Sequence, residues 1–192
     1  MPTSTRKPKY PQTMRILSKP IPTVAFNRLT MPQKEAWLHR LVTLADDAYR
    51  TLGKELNIIG DIGELAVAVK HGIRLYPDKH PYADGVELQQ GPNEISIKTL
   101  SPSTVARGTS YCEVRVDMGG KWGALAVVLL SPGYAPIQIL IATKRAIRTA
   151  LKQQYATDIL ARRKVPPSIY HGEHQVGLGL MEVVAYAKYP IP

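Results

Sequence analysis

The sequence predicts a mixed α/β (or α+β) domain: a mixed sheet of four to five strands flanked by helices. Three observations carry that expectation. Apolar residues recur at helical spacing early in the chain, at Trp37, Leu38, Leu41, Leu44, Ala45, Ala48, Leu52 and Leu56. A run of short alternating or wholly apolar segments follows, and it reads as strands. A basic segment of helical character closes that run at residues 144–154. Helices on either side of a strand run place the chain in a layered α/β class.

Taken in order, residues 1–30 read as an extended arm, rich in proline and basic residues, and 31–192 as the folded domain. Met31-Pro32 opens the first helix, with proline at a position that needs no amide donor, and the spacing runs to about Asn57. A second helix begins near Asp61. Leu65 to Val69 are apolar on every side, as in a helix buried all round, and Gly72 ends it. Residues 77–81 form a loop. A hairpin follows: Ala83 to Leu88, a turn at 89–93, then Glu94 to Leu100. Tyr111 to Asp117 alternates as a strand; Leu125 to Leu130 and Ile137 to Ala142 read as further strands. The tail, 176–189, fits helix or strand equally.

Charge points to the partner. Lys and Arg number 25 against 15 Asp and Glu, a net +10. Residues 1–30 hold six bases (Arg6, Lys7, Lys9, Arg15, Lys19, Arg28) and no acid. Residues 144–164 hold seven bases, among them Lys144, Arg145, Arg148 and Lys152, against one acid. The rest of the chain is near neutral, so the excess is concentrated in two zones. That pattern suits a polyanion, nucleic acid before anionic membrane, though basic tails also serve solubility. A single cysteine, Cys112, excludes an intrachain disulfide framework and fits a reducing cytoplasm. The longest apolar run, Ala124 to Leu130, is too short to span a bilayer, and no secretory signal is evident. The expectation is a cytoplasmic protein with no membrane partner.

The hairpin carries the chemistry. Pairing centred on Gly91 sets Asp84 opposite Lys98, a carboxylate beside an ammonium on one face. Along the second strand Ile95 and Ile97 point one way, and Glu94, Ser96 and Lys98 the other. A two-residue slip keeps these faces, whereas a one-residue slip destroys the arrangement.

A buried helix opening with Gly63-Glu64, an Asp on one strand and a hydrophobic-x-Lys on the next resembles the PD-(D/E)xK, or restriction-endonuclease-like, nuclease superfamily. The likeness runs from about Gly60 to Thr99, and the strand-strand-helix order to Gln154 agrees with it. The resemblance implies a mixed sheet flanked by helices and a metal-dependent deoxyribonuclease. Such an endonuclease hydrolyses DNA phosphodiesters in restriction, defence or DNA processing. It further implies Mg2+, with Mn2+ as a substitute, and a homodimer that cuts both strands. By position, Asp84 is the metal-ligating acid, Lys98 the motif lysine, and the carbonyl of Ile97 a further ligand. Hard oxygen ligands suit magnesium. A lysine beside the site can orient or deprotonate the attacking water.

The departure is Ser96, where the family has Glu or Asp. A serine hydroxyl ligates metal poorly, so a second acid is needed from elsewhere. Glu64 ranks first, Glu113 second and Glu94 third. Each motif residue also has an ordinary explanation. Asp61 to Glu64 fits a capping box, Asp84-Gly85 a turn, and Lys98 a solvated edge-strand lysine. Only their combination favours chemistry. The arm and the basic helix would contact phosphates, positioning the protein without reading bases. Two other functions fit the same sequence. One is a non-catalytic nucleic-acid-binding protein on a decayed nuclease fold, which Ser96 favours. The other is an RNA- or ribosome-associated assembly protein. His171 and His174 lack the further ligands that a structural zinc site needs.

Overall fold

The structure, a computed structural model, describes residues 26–76, 80–87, 93–106, 112–160 and 173–190. Arg6, Lys7, Lys9, Arg15 and Lys19, the hairpin turn and His171 lie outside the described residues. No described helix is long and apolar enough to cross a membrane.

Helix α1 spans Met31–Leu52. The Gln33 side chain accepts from the Thr30 amide at 2.9 Å, and Pro32 sits in the first turn. The helix stops earlier than its apolar spacing suggests, because Gly53 takes a left-handed conformation (φ 64°) and its amide closes on Tyr49. Leu56 therefore lies beyond the helix. Helix α2 spans Ile59–His71 and ends at Gly72 in the same way, as expected. Its N-cap is Ile58, without a side-chain cap, and Asp61 lies inside the first turn. The capping-box explanation of Glu64 therefore does not hold.

The strands are β1 (Arg74–Leu75), β2 (Gly85–Glu87), β3 (Asn93–Leu100), β4 (Glu113–Asp117), β5 (Ala124–Leu130), β6 (Pro136–Thr143), β7 (Glu173–Gly177) and β8 (Ala187–Pro190). A short helix α3 (Pro102–Val105) follows β3, α4 covers Lys144–Leu160 and α5 Leu178–Val184. The main sheet has six strands in the order β1-β2-β3-β5-β6-β8, parallel only between β3 and β5. The mixed α/β class is as expected, and the sheet is larger because β1 and β8 extend its two edges. Strand β4 does not join it. It pairs antiparallel with β7 as a separate two-stranded ribbon. The ambiguous tail is both things in turn: the end of β7, then α5, then β8.

Both sheet faces are covered. On one, Ile95, Ile97, Ala126, Val128, Ile139 and Ile141 pack against α1 and α2 through Ala45, Ile62, Ala66 and Val67. On the other, Leu125, Val127, Leu129 and Leu140 meet the ribbon, α4 and α5 through Val114, Val116, Ile147, Val176 and Met181. Every residue of β5 is buried, which explains its unbroken apolar run. Burying a side chain such as Ile62 contributes about 1.5–3 kcal/mol. Helix α2 lies close on β3: a Cβ on Gly63 would collide with the Thr99 hydroxyl. That approach sets Glu64 beside the strand that carries Lys98.

Candidate active site

Strand β3 is interior, between β2 and β5, so Lys98 is not an edge lysine. The hairpin register differs from the expected one by two residues. Val86 faces Glu94 and Gly85 faces Ile95, which puts Asp84 level with Ser96 rather than Lys98. A slip of two preserves the faces, and Asp84, Ser96 and Lys98 line one cleft of about 230 Å³. Asp84 immediately precedes β2; its amide still donates to the Ile95 carbonyl at 2.9 Å, and its side chain reaches on to the next residues of β3. Its Oδ2 accepts from the Ile97 amide at 2.5 Å and approaches the Ser96 hydroxyl at 3.5 Å. Asp84 is thus no turn residue, and its carboxylate is fixed by β3 itself.

Glu64, on α2, does not line the cleft itself but lies within electrostatic reach of Asp84 and Lys98. Its pKa rises from the ordinary 4.5 to about 7. Burial is the largest cause, followed by the charges of Asp84 and then Asp61, while Lys98 acts in the opposite direction. The three residues thus interact although they come from a helix and two strand segments. Asp61 is also shifted upward by burial.

The other proposed acids are elsewhere. Glu113 points outward from β4 and lines a separate groove with Gln154, Gln175 and Glu182. Glu94 lies opposite Val86, with its Oε1 3.5 Å from the Tyr76 hydroxyl and 4.0 Å from His80 Nε2, and does not line the cleft. Of the basic residues, Arg28, Arg145 and Lys152 are exposed and Arg148 half-buried. Lys144 corrects the expectation of a phosphate contact. Its ammonium donates to the Gly120 carbonyl and lies 4.8 Å from the Trp122 ring centre. Burial lowers its pKa, as does Arg148, against an opposing pull from Asp117. Lys144 therefore holds the β4–β5 turn in place. Trp122 is buried, and its Nε1 donates to the Asp117 carbonyl at 2.7 Å. His174 is buried with its Nδ1 2.9 Å from the Tyr155 hydroxyl.

The far wall of the cleft comes from the ribbon, which supplies Arg115, Asp117 and Glu173, with Tyr82 at the rim. The alternation of β4 marks Arg115 and Asp117 as outward-facing. That they face Lys98 depends on pairing between β4 and β7, about sixty residues apart in the chain. No local signal in the sequence reports that pairing.

Among the described residues, no cluster of three or more His, Cys, Asp or Glu side chains is arranged to hold a metal alone. Two carboxylates, Asp84 and Glu64, lie close enough that the Asp84 charge helps raise the pKa of Glu64. That is a fit for magnesium, which binds through one or two carboxylates and keeps several waters. No known family model matches the chain, and no curated protein is similar to it.

Proposed function

We propose that this chain is a metal-dependent endonuclease acting on DNA phosphodiesters, in the cytoplasm and as a homodimer. The observation that supports it best is the cleft that gathers Asp84, Ser96 and Lys98, with Glu64 electrostatically coupled to Asp84 and Lys98. A cation would relieve that coupling by offsetting two like charges at the margin of a buried region. Asp84 and Glu64 would hold Mg2+ or Mn2+, with the Ile97 carbonyl as a further ligand. The bound ion would acidify a water and offset charge on the attacked phosphate.

The protein's own groups have distinct tasks. Lys98 orients the attacking water and stabilises charge on the phosphate oxygens. The Ser96 hydroxyl, held near Asp84, hydrogen-bonds the water or a non-bridging oxygen. Asp84 stays anchored by the Ile97 amide, so its ligating geometry is set before substrate arrives. Arg145 and Lys152 on α4, with Arg28 and the basic arm, supply phosphate contacts that position the duplex.

Ser96 in place of an acid favours a second reading, a binding protein on a decayed nuclease fold. Supercoiled plasmid with Mg2+ or Mn2+ separates the two. Wild type is expected to nick the plasmid, and Lys98→Ala to lose at least about 100-fold in rate, the scale of removing a preorganised charge-stabilising group. Tight binding by wild type without nicking would favour the second reading.

A further inference from the structure

We propose that Arg115 is the phosphate clamp of this site, gripping the substrate from the ribbon side of the cleft; this rests on the nuclease reading. The cleft has two walls. One, built by the main sheet, carries Asp84, Ser96 and Lys98; the other, built by the ribbon, carries Arg115, Asp117 and Glu173. Arg115 is the middle residue of β4, opposite Gln175 of β7. Its neighbours Val114 and Val116 are anchored in the core beneath the ribbon, so the strand is rigid and alternation forces Arg115 outward.

Its acidic neighbours suggest an ordinary explanation, that Arg115 merely balances them. The geometry does not bear this out. Asp117 Oδ1 accepts from the Gly119 amide at 2.8 Å. Among the described residues the Arg115 guanidinium makes no hydrogen bond or ion pair. An exposed, unengaged guanidinium that lines the same cleft as a lysine suits a group with two anionic oxygens. The planar fork can take both non-bridging oxygens of a phosphodiester, whereas Lys98 offers one point of charge. With Asp84, Asp117 and Glu173 all acidic, the cleft needs Arg115 as well as Lys98 to accept a polyanion.

The test compares wild type, Arg115→Ala and Arg115→Lys by two readouts. The first is binding of a labelled DNA duplex in Ca2+ across a salt series. The second is nicking kinetics in Mg2+. Arg115→Ala should weaken binding about 10- to 100-fold, the scale of a charged hydrogen bond. It should also reduce the log–log salt slope by about 0.9. Arg115→Lys should restore the slope but not the rate, because it returns the charge without the fork. The side chain is exposed, so both variants should melt with wild type. If Arg115→Ala fails to fold, the split between slope and rate in Arg115→Lys decides. Wild-type slope and rate in both variants would overturn the proposal while the nuclease reading stands. A slope that depends on Arg115 in a wild type that never nicks would overturn the nuclease reading and keep the phosphate contact. A wild type that neither binds nor nicks would overturn both.

Discussion

Glu64 and Glu87 are both acids withdrawn from water, yet the fold treats them differently. Glu87, on β2, is 2% exposed. It meets His71 Nε2 at 3.1 Å and the Tyr186 hydroxyl at 3.5 Å. Helix α2, strand β2 and the chain entering β8 converge to satisfy it. Glu64 lies on the same helix as His71, about two turns before it, and its charged neighbours are Asp84 and Asp61, opposed by Lys98. Among the described residues it accepts no hydrogen bond. A buried acid with partners supplied is part of the architecture. A half-buried acid set against like charge is destabilising until something arrives, which is the electrostatic pattern of a functional site.

The largest expected effect separates the two acids by activity. Glu64→Gln should cut nicking by about 100-fold or more, on the scale of losing a key electrostatic group. Glu87→Gln, Glu113→Gln and Glu94→Gln should stay close to wild type in initial rates. Loss of activity in Glu113→Gln with full activity in Glu64→Gln would reverse the choice of second acid.

Stability should sort them the other way. Glu87→Ala removes a buried partner from His71 and Tyr186 and should cost about 1–3 kcal/mol in urea unfolding. Gly63→Ala, next to Glu64 on α2, should cost a similar ~1–3 kcal/mol by forcing the helix off Thr99. It should also slow nicking, since Glu64 moves with the helix. A neutral Gly63→Ala would mean that the close approach is not what sets Glu64.

The smallest effect depends on pH. Glu64 holds its proton more tightly folded than unfolded, about 7 against 4.5. Its contribution to stability is therefore fully present below 4.5 and lost as pH rises through about 7. Glu64→Gln in EDTA should be more stable than wild type at pH 8 by about 1–2 kcal/mol, allowing for solvent screening. The difference should vanish at pH 4. A variant less stable than wild type at pH 8 would show that Glu64 has a favourable partner.

Much of this contrast could be read from the chain. The apolar run after Glu64 marked a buried helix, and the alternation from Glu94 to Lys98 marked the active face. Both signals are local. What was hidden is non-local. The Asp84 register depends on where the hairpin turns, and a two-residue shift is invisible to a period of two. Glu87 looked like an ordinary strand residue because His71 and Tyr186 are distant in sequence. Arg115, Asp117 and Glu173 escaped notice because β4 looked like another strand of the main sheet. Lys144 looked like a phosphate ligand because a charge run does not show which ammonium lies over a tryptophan.

The central claim is that Asp84 and Glu64 together form a seat for a divalent cation. Mn2+ titration followed by electron paramagnetic resonance, at pH 8 without substrate, tests it directly. Wild type and Glu87→Gln should bind the ion alike, while Glu64→Gln and Asp84→Asn should each lose affinity about tenfold or more, the scale of one charged ligand. Equal affinity in all four proteins would contradict the account, because Glu64 would then be buried against like charge for no purpose that a metal serves.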